Sequence, residues 1–74
     1  MVNEQKKNWR ILKDAMENQQ KVAVEFQENS TRYACQCYIR ELTSSCVMIE
    51  ECEGERKDIW SVYFLDFLVS VRMV

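Results

Sequence analysis

The sequence predicts a mainly β domain, with one N-terminal helix and five short antiparallel strands curling into a small barrel. Three observations predict it. Apolar residues recur at helical spacing before residue 20 and at a period of two after it. Short polar turns separate the alternating segments, and such turns join antiparallel neighbours. The stretch Arg56–Val71 (RKDIWSVYFLDFLVSV) holds more bulky apolar side chains than any other window of its length. It breaks at Phe64-Leu65-Asp66, with no Gly or Pro to make a wide loop. Two strands joined by so tight a corner run almost continuously from one sheet layer into the next, which is how a strongly bent barrel closes.

The helix is expected over about residues 3–18. Asn3 stands where an N-cap is needed, and Glu4 falls in the first turn, where the helix dipole favours an acid. Trp9, Leu12 and Met16 fall on one face, expected to cover an open end of the barrel. Ile11 is expected to point away as a singly exposed apolar residue. Five strands follow, at about 21–28, 32–42, 45–52, 56–63 and 67–73. In the first, Val22, Val24 and Phe26 face one way; in the second, Tyr33, Cys35, Cys37 and Ile39 do. Glu28-Asn29-Ser30-Thr31 and Thr43-Ser44-Ser45 are the first two turns. Glu53-Gly54-Glu55 is the third, where the only glycine is free to take a positive φ.

Seventy-four residues make one domain, 1–74, with no repeat, linker or low-complexity tract. A chain this short buries only about 60% of its unfolded surface, so it has little stability to spare. The 47% hydrophobic and 30% charged contents suit a folded domain rather than a disordered one. Net charge is −2, and the acid is local: Glu50, Glu51, Glu53, Glu55 and Asp58 stand against only Arg56 and Lys57 in residues 43–60. That balance excludes a globally basic nucleic-acid face. The N-terminus MVNEQKKNWR has no apolar h-region, and the longest apolar run is far short of a membrane span. A cytoplasmic chain is expected, with Cys35, Cys37, Cys46 and Cys52 reduced and acting as a row of small core residues.

The order of a helix and five bent strands resembles the Sm-like fold, within the wider class of SH3-like small barrels. The resemblance covers roughly Asn8 to Val71 and includes the tail, where Phe64, Leu65, Asp66, Phe67 and Val71 match a strand, a one-turn corner and a last strand. Two families of that fold compare. The bacterial RNA chaperones of the Hfq type carry a Tyr-Lys-His-Ala motif in the fourth strand and corner. This chain has Trp60-Ser61-Val62-Tyr63 there and no histidine, so those RNA sites do not carry over. The Rof-type inhibitors, small acidic proteins that bind the terminator Rho and block its access to RNA, are similar in order and spacing. Lys21–Phe26 matches their first strand and Gly54-Glu55-Arg56 a hairpin. That resemblance implies a regulator acting on another protein.

The residues themselves point away from catalysis. Without histidine there is no Ser-His or Cys-His pair, and one glycine cannot build a phosphate-cradling loop. Cys35-x-Cys37 is too tightly spaced for a zinc knuckle, so no metal and no cofactor are expected. The acids of the third hairpin are expected to be solvated, and raised-pKa acid catalysis needs a dry cleft. The function expected is therefore association. Glu50, Glu51, Glu53, Glu55 and Asp58 are the candidate protein-binding residues, steering the chain onto a basic partner. Tyr38, Trp60 and Tyr63 serve as anchors if their faces point outward; otherwise Trp60 is core. An edge strand is a further route to a partner or a second copy. The alternative is an RNA-binding homo-oligomer using Lys6, Arg10 and Lys13 beside Trp9.

Overall fold

Helix α1 runs from Asn3 to Asn18, and five strands follow: β1 (Val22–Glu28), β2 (Thr31–Leu42), β3 (Cys46–Glu51), β4 (Trp60–Phe64) and β5 (Leu68–Met73). A single 3-10 turn, Leu65–Phe67, joins the last two. This is a computed structural model that describes the backbone of residues 3–74 and the side chains of residues 5–74. The capping roles expected for Asn3 and Glu4 lie outside the described side chains. No described helix is long and apolar enough to cross a membrane.

α1 forms because sixteen residues pass without Gly or Pro and one stripe is apolar. Its buried face differs from the one expected. Leu12 and Ala15 are fully buried, with Ile11 and Met16 packed beside them against the core. Ile11 therefore does not point away. Spacings of three and four from Leu12 select Ala15 and Met16, Ile11 lies four before Ala15, and the small Ala15 lets the helix backbone close onto β2 and β5. Trp9 sits at the rim instead, where its indole N–H donates to the Thr43 carbonyl at 2.9 Å. The helix ends in a Schellman motif: Gln20 N–H bonds the Ala15 carbonyl (2.8 Å), Gln19 N–H bonds Met16 (3.3 Å), and Gln19 takes φ 52°.

The strands form one antiparallel sheet in the order β4-β3-β2-β1-β5. β2 is the long element, and it serves two layers. Its first half pairs with β1 and its second half with β3, and Cys37 stands opposite both Val22 and Glu51. A bulge follows at Arg40, between Ile39 and Glu41. A strand that changes layers through a bulge makes the corner of a bent sheet. Alternation then sends Val22, Val24, Phe26, Cys37, Ile39, and Val47 with Ile49, to the interior.

The β4–β5 connection forces the curl. From Phe64 to Leu68 a 3-10 turn advances about 8 Å at ~2 Å per residue. Laid flat, five strands hold their two edges about 19 Å apart at ~4.8 Å per spacing. Three residues bridge opposite edges only because the sheet rolls up. Even so, no ladder joins β4 to β5 among the described residues, so the expected closed barrel is an open, strongly curled sheet.

The fourth strand is shorter than expected. Residues 56–58 lie in a turn, where Asp58 takes φ 68° and donates its N–H to the Glu51 carbonyl at 2.9 Å. The Ile59 N–H returns to the Arg56 carbonyl at 3.0 Å, so β4 starts only at Trp60. Gly54 does take a positive φ, 84°.

Candidate functional site

The bulky apolar stretch of residues 56–71 is turned largely outward on β4. Trp60, Val62 and Phe64 are 56%, 60% and 59% exposed, while Ser61 and Tyr63 point inward. The same three residues present the free backbone edge. Glu51 N–H bonds the Ile59 carbonyl (3.2 Å) and Leu65 N–H bonds the Ser45 carbonyl (2.8 Å), in register with the β3–β4 ladder. Hydrogen-bonded pairs alternate along an antiparallel ladder, so Ser61 and Tyr63 bond β3 while Trp60, Val62 and Phe64 direct N–H and C=O away from the sheet. An apolar row and a row of backbone donors and acceptors with no partner among the described residues thus coincide.

Trp60 is held in place from β2. Arg40 makes an ion pair with Glu50 at 2.7 Å, across the ladder from Trp60. Its guanidinium lies 5.2 Å from the Tyr38 ring centre and 5.8 Å from that of Trp60. Arg40 and Glu50 are about two-thirds to four-fifths covered, so the pair is less screened than an exposed one. Tyr38 and Trp60 therefore share the outer face, as an outward reading required, and Tyr63 does not.

The acidic cluster divides. Glu51 was expected at a solvated hairpin, but it is only 3% exposed. Its carboxylate accepts the Tyr33 hydroxyl and the Arg56 Nε–H, the latter at 2.8 Å. Arg56 Nη2 also donates to Ser61 Oγ at 2.9 Å. A buried carboxylate is tolerated only with such partners. Burial, and donation to Glu51, push the Tyr33 hydroxyl well above its ordinary pKa. The hydrogen bond to Glu51 likewise raises Arg56. Glu50 is engaged by Arg40, which leaves Glu53, Glu55 and Asp58 exposed and in no ion pair among the described residues. The signal for Glu51 was in the sequence: Val47, Ile49 and Glu51 share one parity of β3.

Lys6, Arg10 and Lys13 are exposed along α1. Lys13 Nζ lies 5.6 Å from the centre of the Trp9 ring, so this cation already covers the aromatic face that a base would stack on.

No family model, curated protein or solved structure matches the chain. What the site can do is read from its own residues.

The four thiols do not converge. Cys37 is fully buried and Cys35 packs beside it on the inner face. Cys46 and Cys52 have the parity of Met48 and Glu50 on the outer face, so the expected row of four core cysteines is a pair, with the other two half-buried on the opposite face. Hydrogen bonding to Cys35, then burial, pushes the Cys37 thiol up.

Proposed function

We propose that this chain is a non-catalytic regulatory or inhibitory protein that works by binding another protein. Its docking surface is the outer face and free edge of β4, flanked by the acids of the 52–58 loop. The observation that carries this is the exposure of Trp60, Val62 and Phe64, each more than half open to solvent on an edge strand with no charged residue. Exposed apolar rows beside an unpaired edge are where strands are added and aromatic anchors dock. The Arg40 contact supports Trp60 as an anchor, because a side chain already held in place loses little entropy on binding. Glu53, Glu55 and Asp58 supply the steering charge toward a basic partner.

The fold reading behind this is a single helix-capped, Sm-like domain over residues 1–74, its sheet strongly curled but open. Its support is the helix, the five bent antiparallel strands and the one-turn corner Leu65–Phe67. The similarity to the Rof-type inhibitors rests on element order and the Gly54-Glu55-Arg56 turn, and it favours an inhibitor covering a basic surface.

The test is capture of partners from bacterial lysate at low salt. Wild type is compared with Trp60→Ala and with Glu53→Lys/Glu55→Lys/Asp58→Lys. A partner held by wild type and lost by both variants is the expected result; equal retention by all three overturns the reading. The competing reading, an RNA-binding homo-oligomer using Lys6, Arg10 and Lys13, requires micromolar binding of uridine- or adenosine-rich RNA that collapses with salt.

A further inference from the structure

We infer that the partner of the β4 edge is a second copy of this chain, paired antiparallel about a twofold axis through Val62. This rests on the reading of β4 as a docking edge and names its occupant. The sequence of β4, Trp60-Ser61-Val62-Tyr63-Phe64, is self-complementary in that arrangement. On the outer face Trp60 meets the second copy's Phe64, and Val62 meets Val62. On the inner face Ser61 meets Tyr63. Aromatic therefore meets aromatic, a favourable cross-strand pair, and Trp60 and Phe64 meet reciprocally, as an isologous contact requires. The backbone agrees. The outward N–H and C=O groups of Trp60, Val62 and Phe64 are the ones an antiparallel ladder centred on Val62 joins, and all of them find partners.

The other edge is built differently. β5 carries Arg72, and it has a bulge where Val69 falls between the partners of Glu25 and Phe26. Charge and bulges are what keep an edge unpaired. β4 has neither: its ladder with β3 is regular and its five residues are uncharged. Twofold pairing also leaves the 52–58 loops of both copies free, so the dimer presents Glu53, Glu55 and Asp58 twice.

The experiment is analytical ultracentrifugation over a concentration series, with amide hydrogen exchange on the same samples. Wild type is expected to shift from one to two monomer masses. The amides of Trp60, Val62 and Phe64 gain protection as it does, while that of Val69 does not. Val62→Lys places two ammonium groups face to face at the axis and is expected to stay monomeric, with an unchanged circular dichroism spectrum; Val69→Lys is expected to dimerise like wild type. A wild type that is monomeric throughout, a Val62→Lys variant that dimerises equally, or larger assemblies with Val69 protected each overturn the inference. A monomer that still captures a protein through Trp60 leaves the proposed function standing, so the two fail separately.

Discussion

Phe26 and Tyr63 stack with ring centres 4.4 Å apart and planes 14° apart, although β2 and β3 lie between their strands in the sheet. Tyr33, the cross-strand partner of Phe26, also stacks with Tyr63, at 5.8 Å. The contact exists only because the sheet curls, so it measures the curl. Changing Phe26 and Tyr63 to Leu singly and together is expected to give a coupling energy of about 0.5–1.5 kcal/mol. Urea unfolding of the four proteins checks it. No coupling means the two strands do not meet across the interior.

The buried Glu51 carboxylate depends on its donors. Tyr33→Phe removes one and is expected to destabilise the fold by about 1–3 kcal/mol. Arg56→Ala, acting through an exposed side chain, is expected to release the 52–58 loop. The amides of Lys57, Asp58 and Ile59, which close that turn, then exchange faster while those of β1 do not.

The Tyr33 hydroxyl titrates higher in the folded chain than in the unfolded one, where tyrosine ionises near pH ~10. The folded state therefore holds the proton more tightly. Its contribution is complete below about pH 10 and is lost as pH rises from there toward the folded value. Wild type is expected to lose stability over that range more steeply than Tyr33→Phe. Urea midpoints measured from neutral pH to above pH ~10 check the difference.

Thiol accessibility follows strand parity. In the native protein, alkylation with peptide mapping by mass spectrometry is expected to modify Cys46 and Cys52 and leave Cys37 untouched until urea is added. Burial excludes the reagent, and the raised pKa of Cys37 keeps it a thiol. Early modification of Cys37 contradicts the assigned inner face.

Gln19 occupies the left-handed position of the helix C-cap, which glycine takes without a Cβ penalty. Gln19→Gly is expected to stabilise the protein by up to about 1 kcal/mol, read as a rise in Tm.

Much of the fold was legible along the chain. Residues 3–18 carry an apolar stripe without a helix breaker, and α1 spans them. Alternation placed Val22, Val24 and Phe26 on one face, and those three are buried. Gly54 met its positive φ. The buried face of the helix was not legible there, because Trp9 outweighs Ala15 in a hydrophobicity pattern. In packing, the small residue let the backbones approach and the large one was left at the rim with its N–H satisfied.

The sequence by itself determined the helix, the alternation and the turns, because each depends on the spacing of residues a few positions apart. Only the tertiary structure decided which side of β4 faces water, which donors meet Glu51 and how far the sheet rolls. Those depend on distances between strands remote in sequence. Once the Leu65–Phe67 turn has drawn opposite edges together, the interior has room for Tyr63 but not for Trp60, Val62 and Phe64, whose parity is opposite. That leaves three bulky apolar side chains on the surface.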